Sequence, residues 1–452
     1  MSALAEFIKT LSKRPGISIS GSFLIIIFVG ACLLSLPQAT STGERTPFID
    51  AVFTATSATC VTGLIVRDTG QYFSTFGQVV ILLLIQVGGL GIMTLAAFFG
   101  AVFAGRLSVS QQAAVKEVLD VTSVEEVFRL LRFIVVVTLL FEAIGFCALL
   151  PVWMGNTDSL GTALFYSLFH SVSAYCNAGF SLFSDSLVGY RENVLLNSIV
   201  TSLIIMGGLG FYVLANLYYS FLLSPKNRHE GGLTLHTQLV LISSVILIVL
   251  GAACFYLFER NHSLATLGPF HQFQTCYFQS VTARTCGFNT VDIGNLASPT
   301  ILLLMFLMFI GGSPGSTAGG IKTTVIALVV TATYSFLKGR DQVAFFGRTI
   351  PRFIIQRAFA ILICSFTAIL ISSIILLSVE EATFEQILFE VFSAFGTVGL
   401  STGITPQLSP LGKVVVTILM FVGRLGPLTL AVILIKERAP KVSYPEEKIA
   451  VG

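Results

Sequence analysis

Eight stretches of this chain, at roughly 19–37, 78–104, 133–154, 195–222, 237–258, 300–336, 353–378 and 411–436, are apolar and long enough to cross a hydrocarbon core of about 30 Å. Inside lipid, every backbone N–H and C=O must find its partner within the protein, which leaves helices as the spanning elements for runs of this length and excludes a soluble fold. Apolar residues make up 54% of the chain and charged residues 11%, against about 25% charged in an ordinary soluble domain, and the mean hydropathy is +0.88. Of the 26 Lys and Arg residues, 18 fall in five segments: the N-terminus (Lys9, Lys13, Arg14), 105–132, 223–232, 338–357 and the tail from Lys436. Eight crossings place all five on one side, which the distribution of positive charge marks as cytoplasmic. The net charge of +3 is dispersed over these loops and gives no basis for nucleic-acid binding. Val29-Gly30-Ala31-Cys32 approaches a lipoprotein cleavage signal, but the run is long and seven more crossings follow, so an uncleaved first helix is expected.

The chain aligns on itself four times. Gly63, Gly179, Gly287 and Gly399 are separated by 116, 108 and 112 residues, and each lies between two apolar runs. Ten residues earlier stands an aromatic (Phe53, Phe169, Tyr277, Phe389), and directly afterwards a large apolar residue (Leu64, Phe180, Phe288, Leu400). Small residues dominate between the two: Thr54 to Thr59, Ser171 to Ala174, Ser280 to Ala283, and Ser393 with Ala394. These stretches are too short and too polar to cross, so each reads as a re-entrant half-helix with a loop. A glycine notch follows in every unit, at Gly88-Gly89-Leu90-Gly91, Gly207-Gly208-Leu209-Gly210, Gly311-Gly312 and Gly423-Arg424-Leu425-Gly426, beginning 25, 28, 24 and 24 residues after the loop glycine. Glycine is common where membrane helices pack closely, but that alone does not explain three marks recurring in register.

The expected architecture is an all-α polytopic membrane protein of four helix–pore loop–helix repeats around a pseudo-fourfold pore, with eight transmembrane helices and four re-entrant loops. The repeats span 1–104 (pore loop 48–66), 105–222 (162–182), 223–337 (270–290, with a glycine-rich segment at 311–322) and 338–436 (383–403), followed by a tail at 437–452. Non-helical backbone survives at membrane depth only where protein buries it or where it lines a water-filled cavity. Around a common axis, Cys60-Val61-Thr62-Gly63, Cys176-Asn177-Ala178-Gly179, Arg284-Thr285-Cys286-Gly287 and Gly396-Thr397-Val398-Gly399 can turn carbonyls inward to replace a cation's hydration shell. The half-helices direct their negative ends to the same place, and no ring of acidic side chains competes with the carbonyls.

On the strength of Thr62-Gly63-Leu64, Asn177-Ala178-Gly179-Phe180, Arg284-Thr285-Cys286-Gly287-Phe288, Phe395 to Leu400, Gly315 to Lys322 and Gly423-Arg424-Leu425-Gly426-Pro427, the chain resembles the Trk/Ktr/HKT superfamily of K⁺ transporters, in particular its KtrB-type membrane subunits. The resemblance covers nearly the whole chain. It implies a K⁺-selective filter formed by Cys60, Val61, Thr62, Gly63, Cys176, Asn177, Ala178, Gly179, Thr285, Cys286, Gly287, Thr397, Val398 and Gly399, because glycine in all four repeats goes with K⁺ preference and serine in the first with the more Na⁺-selective members. It further implies a bacterial inner-membrane location with both termini cytoplasmic, pairing of two copies in the bilayer, and a separate cytosolic regulatory ring of the KtrA type that binds ATP or ADP. K⁺ is then the transported ion, Na⁺ is left open as an activator, and no organic cofactor is expected. Cys286 stands where related chains often carry alanine. With Cys60 and Cys176 it raises the question of a soft-metal site, but no His or carboxylate ligands accompany the three thiols in sequence, and small filler is the expected role.

Residues 311–320 read Gly-Gly-Ser-Pro-Gly-Ser-Thr-Ala-Gly-Gly within the longest apolar segment, so the helix must break there. The run has the glycine spacing of a phosphate-binding loop, but Ile321 occupies the lysine position, which rejects nucleotide binding. By resemblance, Gly311, Gly312, Ser313, Gly315, Ser316, Thr317, Gly319, Gly320 and Lys322 belong to an intramembrane gate. Arg424, at membrane depth, either faces the pathway and opposes a resting cation, the role that the resemblance also implies, or bonds neighbouring carbonyls. Arg284 abuts the third loop, where it either repels cations at the outer mouth or, as expected because a free cationic head would oppose entry, braces the loop by bonding its carbonyls. Asp68, Asp185, Asp292 and the Glu380-Glu381-Glu385 cluster either concentrate cations at the outer mouth or belong to ordinary solvated loops. His170 and the other histidines show no metal-ligand spacing, and no nucleophile–base pair stands out, so an enzyme is not expected. The competing readings are a K⁺/Na⁺ or K⁺/H⁺ symporter working by alternating access, whose folds usually show two related halves, and a membrane scaffold, which would not need four aligned loops.

Overall fold

The structure, a computed structural model, describes residues 15–91, 124–157, 159–220, 233–340 and 342–426. Lys9, Lys13, Arg14, the basic stretches 105–123 and 223–232, Pro427 and the tail 437–452 lie outside the described residues. The first repeat comprises α1 (Pro15–Leu34), α2 (Phe48–Thr59) and α3 (Thr75–Leu90); the second α4 (Val124–Met154), α5 (Leu160–Tyr175), α6 (Val194–Gly208) and α7 (Phe211–Tyr218). The third comprises α8 (Leu235–Glu259), α9 (Pro269–Thr282), α10 (Ser298–Phe309) and α11 (Thr323–Leu337), and the fourth α12 (Arg352–Val379), α13 (Phe384–Gly396) and α14 (Pro410–Leu425). A small hairpin joins α11 to α12, with Ala344 paired to Thr349 and Phe345 to Arg348.

Helix length separates two roles. The outer helices α4, α8 and α12 have 31, 25 and 28 residues, and all three hold windows apolar enough to cross a membrane. The helices α2, α5, α9 and α13 have only 12, 16, 14 and 13 residues, so the longest rises about 24 Å, short of a hydrocarbon core. Start signals also repeat. The side chains of Ser74, Asn193 and Ser409 accept from Gly77 N, Leu196 N and Gly412 N to cap α3, α6 and α14, and Thr383 with Gln386 forms a capping box on α13.

The third element of each repeat leans on the short helix of the next: α3 on α5, α6 on α9, α10 on α13, and α14 back on α2. Four such steps close a circuit. An ion-pair staple seals the joint between the last repeat and the first, where buried Asp50 in the first turn of α2 takes Arg67 at 2.8 Å and Lys413 of α14 at 2.7 Å. Outside the circuit, α1, α4, α8 and α12 expose Leu24, Phe28, Leu139, Val249 and Leu370, an apolar belt of the kind that lipid covers.

Each inner helix breaks at its glycine notch. α3 stops at Gly91 (φ +78°), α6 turns by 95° into α7 at Gly210 (φ +94°), α14 stops at Gly426 (φ +88°), and α10 gives way to the irregular segment 310–322. Only the break in the third repeat is evident from sequence. The others arise because the last glycine of each Gly-x-x-Gly notch takes a left-handed backbone that side-chain-bearing residues resist.

Candidate functional site: a ring of four glycine loops

Each short helix ends where its loop begins, and the four loops meet. A side chain on Gly63 would collide with the Ala178 carbonyl, one on Gly179 with the Cys286 carbonyl, one on Gly287 with the Val398 carbonyl, and one on Gly399 with the Thr62 carbonyl. The order runs from the first repeat through the fourth and returns to the first, so the carbonyls of Thr62, Ala178, Cys286 and Val398 form a closed ring. Backbone conformation repeats as well. Val61, Asn177, Thr285 and Thr397 have φ of +58°, +58°, +91° and +49°, and the glycines two residues later have φ of +90°, +67°, +90° and +94°. Alternating left-handed residues turn successive carbonyls to one side of the chain, and the second of each pair must be glycine because a neighbouring backbone occupies the Cβ position.

A hydroxyl below each loop fixes it. Ser57 Oγ donates to Leu64 O at 2.7 Å and accepts from Gly63 N at 3.1 Å. Ser173 Oγ donates to Phe180 O at 2.8 Å, Thr282 Oγ1 donates to Phe288 O at 2.6 Å, and Ser393 Oγ accepts from Gly399 N at 3.1 Å. These four residues are absent from the filter positions expected from sequence, although a hydroxyl six residues before the glycine (five in the third repeat) is a signal that could have found them. Cys60 and Cys176 cap the C-termini of α2 and α5, Cys286 lies in its loop, and all three are buried. Thr59, Thr62, Thr285 and Thr397 carry buried hydroxyls with no partner among the described residues.

Directly against this ring lies the segment 310–322. It folds on itself through Gly311 N to Ile321 O (2.8 Å), Thr323 N to Gly312 O (3.1 Å), Ser316 Oγ to Ser313 O (2.7 Å) and Lys322 Nζ to Ala318 O (2.7 Å). It docks on the break of the second repeat through Ser313 N to Gly208 O (3.1 Å), Thr317 N to Gly207 O (3.3 Å) and Phe211 N to Gly315 O (2.8 Å). Gly319 abuts the Thr397 side chain, Gly320 abuts Gly396, and Thr317 Oγ1 stands 3.2 Å from the Asn177 amide. Arg424 donates to Thr317 O of this segment and to Gly88 O at the end of α3, so one guanidinium ties the fourth repeat to the third and the first.

Other polar residues sit away from the ring. Arg284 reaches Ser244 on α8, at 3.4 Å to both its carbonyl and its hydroxyl, and thereby braces its loop against the outer helix rather than against loop carbonyls. Asp68, Asp185 and Asp292 accept from Gln71 N, Gly189 N and Gly294 N, which makes them turn-forming residues. Glu380 binds the N–H and hydroxyl of Ser409, and Glu385 the hydroxyl of Ser298, while Glu381 is exposed.

The profile of the TrkH cation transport proteins matches residues 20–443. The chain belongs to the TrkH family. A Ktr system potassium uptake protein B of Vibrio alginolyticus is 39% identical over 433 residues, covering 95% of this chain and 93% of the relative. Its counterpart in Bacillus subtilis is 37% identical over 99% of both chains, and the potassium/sodium uptake protein NtpJ of Enterococcus hirae 38% identical over 98% of this chain and 99% of the relative. The crystal structure of the potassium transporter TrkH from Vibrio parahaemolyticus superposes with a TM-score of 0.69 at 19% identity, covering 92% of this chain and 85% of that one, which establishes the shared fold. As a TrkH-family chain, this is a multi-pass membrane protein of a cation-transporting class rather than an enzyme class.

Proposed function

We propose that the chain is the K⁺-conducting membrane subunit of a bacterial uptake system, with the ring of Thr62, Ala178, Cys286 and Val398 carbonyls as its selectivity filter. The observation that carries this reading is the closed circuit of glycine contacts, which sets each of four backbone carbonyls against the glycine of the neighbouring loop and leaves no room there for a side chain. Such a ring offers a cation the oxygens that it loses on shedding water. The segment 310–322 serves as the gate beneath the filter and Arg424 as the latch that holds it, while also placing a positive charge at the barrier. Two copies pair in the inner membrane, with both termini cytoplasmic. A cytosolic nucleotide-binding ring docks on the cytoplasmic face, for which the exposed hairpin with Arg348 at its edge and Phe346 at its tip supplies a basic and apolar handle. The relatives named as K⁺ uptake proteins, each similar over nearly its whole length, support the choice of ion.

The test is ⁸⁶Rb⁺ uptake into vesicles containing the purified protein, with competing K⁺ or Na⁺ outside. K⁺ suppresses uptake and Na⁺ does not. Gly63→Ser, which drives a side chain toward the Ala178 carbonyl at φ +90°, narrows the preference for K⁺ over Na⁺ by about tenfold, or about 1.4 kcal/mol. Equal competition by both ions in the wild type contradicts the reading.

A further inference from the structure

Three residues before each hydroxyl that clamps a loop, and so on the same face of each short helix, stands another polar residue: Thr54, His170, Gln279 and Glu390. All four are buried. Polar side chains at one register position in four buried helices need partners, and three of them find theirs on the segment that follows the glycine, in the fourth repeat at Thr405 of a 3₁₀ turn beyond a bend. His170 Nδ1 bonds Tyr166 O at 2.8 Å, which leaves Nε2 to face Ser181 Oγ at 3.3 Å. Gln279 Nε2 donates to Thr290 Oγ1 at 3.2 Å. Glu390 accepts from the Thr405 hydroxyl, which also lies 2.9 Å from Ser401 Oγ. The Thr54 hydroxyl has no partner among the described residues.

Each loop is therefore held twice in three of the repeats. The hydroxyl below fixes the glycine's N–H or the carbonyl of the residue after it, and the upper strut fixes the outgoing segment two to six residues later. Glu390 is the acidic strut of the set, and its carboxylate engages a chain of two hydroxyls rather than one. We infer that Glu390, acting through Thr405 and Ser401, is a positioning residue that sets the spacing of the Val398 carbonyl in the ring and thereby the discrimination between cations of different size. This rests on the filter reading above. A ring that separates K⁺ from Na⁺ must hold its oxygens to within about 0.5 Å, and a loop anchored only from below can swing outward at its free end.

The experiment measures ⁸⁶Rb⁺ uptake by the full-length protein in vesicles and the concentrations of K⁺ and Na⁺ that halve it. It uses Glu390→Leu, Glu390→Gln, Thr405→Val and the double variant Glu390→Leu/Thr405→Val, with Gly399→Ser as a probe of the filter itself. Glu390→Leu and Thr405→Val each reduce the K⁺ over Na⁺ preference by about tenfold. The double variant falls no further than either alone, and Glu390→Gln, which keeps an acceptor oxygen for Thr405, restores most of the preference. Thr405→Val removes no buried charge, so it reports even if Glu390→Leu does not fold. If Gly399→Ser shifts the preference while Thr405→Val leaves it within twofold of wild type, the filter stands and the strut is overturned. If Gly399→Ser also leaves it unchanged, the filter reading falls and the strut with it.

Discussion

Vesicles holding a variant that lacks residues 313–319 take up ⁸⁶Rb⁺ continuously, with or without the proposed regulatory ring and a nucleotide added. The deleted residues supply the contacts that seat the segment on its neighbours: Ser313 N on Gly208 O, Thr317 N on Gly207 O, Gly315 O under Phe211 N, Thr317 Oγ1 beside Asn177, and Thr317 O under Arg424. Arg424→Ala removes the charged contact to Thr317 O, together with the tie to Gly88 O, and leaves the segment's other contacts in place. A hydrogen bond to a charged group contributes about 1.5–3 kcal/mol, so the closed state loses roughly a factor of ten to a hundred against the open one. Basal flux in Arg424→Ala then rises accordingly, and K⁺ still competes better than Na⁺ because the ring is intact. Basal flux at the wild-type level in both variants removes the gate from the account and leaves segment 310–322 as packing.

Gly179→Ala cuts uptake further than Gly63→Ser or Gly399→Ser, because an added Cβ there comes nearer to the neighbouring carbonyl than at either of those positions. The residue has φ +67°, where a side chain costs about 1–2 kcal/mol, but strain of that size alone leaves a protein folded. The larger effect is the collision of the new methyl with the Cys286 carbonyl and with the Gly287 backbone behind it, neither of which can rotate away. The ring must open at the joint between the second and third repeats, and carbonyl spacing is lost all round. Gly43→Ala provides the comparison, since Gly43 has φ +76° but open space at its Cβ position, so backbone strain acts there without a collision. Uptake falls at least a hundredfold in Gly179→Ala, about 2.7 kcal/mol or more, and persists in Gly43→Ala. Comparable uptake in the two variants means that the close approach of neighbouring loops has no bearing on transport.

Much of this architecture is legible in the chain because membrane burial imposes strong rules. Apolar runs of spanning length, and short polar stretches that cannot span, are enough to separate crossing helices from re-entrant loops. The repeat of Gly63, Gly179, Gly287 and Gly399 places the loops in register for a physical reason: at each one a neighbouring backbone takes the place of a side chain. What stays hidden is whatever depends on one repeat meeting another. The partners of Arg424, at Thr317 and Gly88, lie more than a hundred residues away in sequence, and either a pathway-facing or a carbonyl-bonded arginine fits its surroundings in the chain. The hydroxyl clamps escape notice because Ser57, Ser173, Thr282 and Ser393 sit among other small residues, with the third displaced by one position. Arg284 abuts its loop in sequence yet turns to Ser244 on an outer helix, a partner forty residues earlier that no local pattern indicates.

The most direct measurement of the central claim is the position of a heavy K⁺ substitute. Crystals of the protein grown with Tl⁺ in place of K⁺ give an anomalous difference map in which the account predicts a peak on the pseudo-fourfold axis, at the level of the Thr62, Ala178, Cys286 and Val398 carbonyls and lost when Na⁺ replaces Tl⁺. A peak elsewhere in the fold, with the ring empty at saturating Tl⁺, contradicts it.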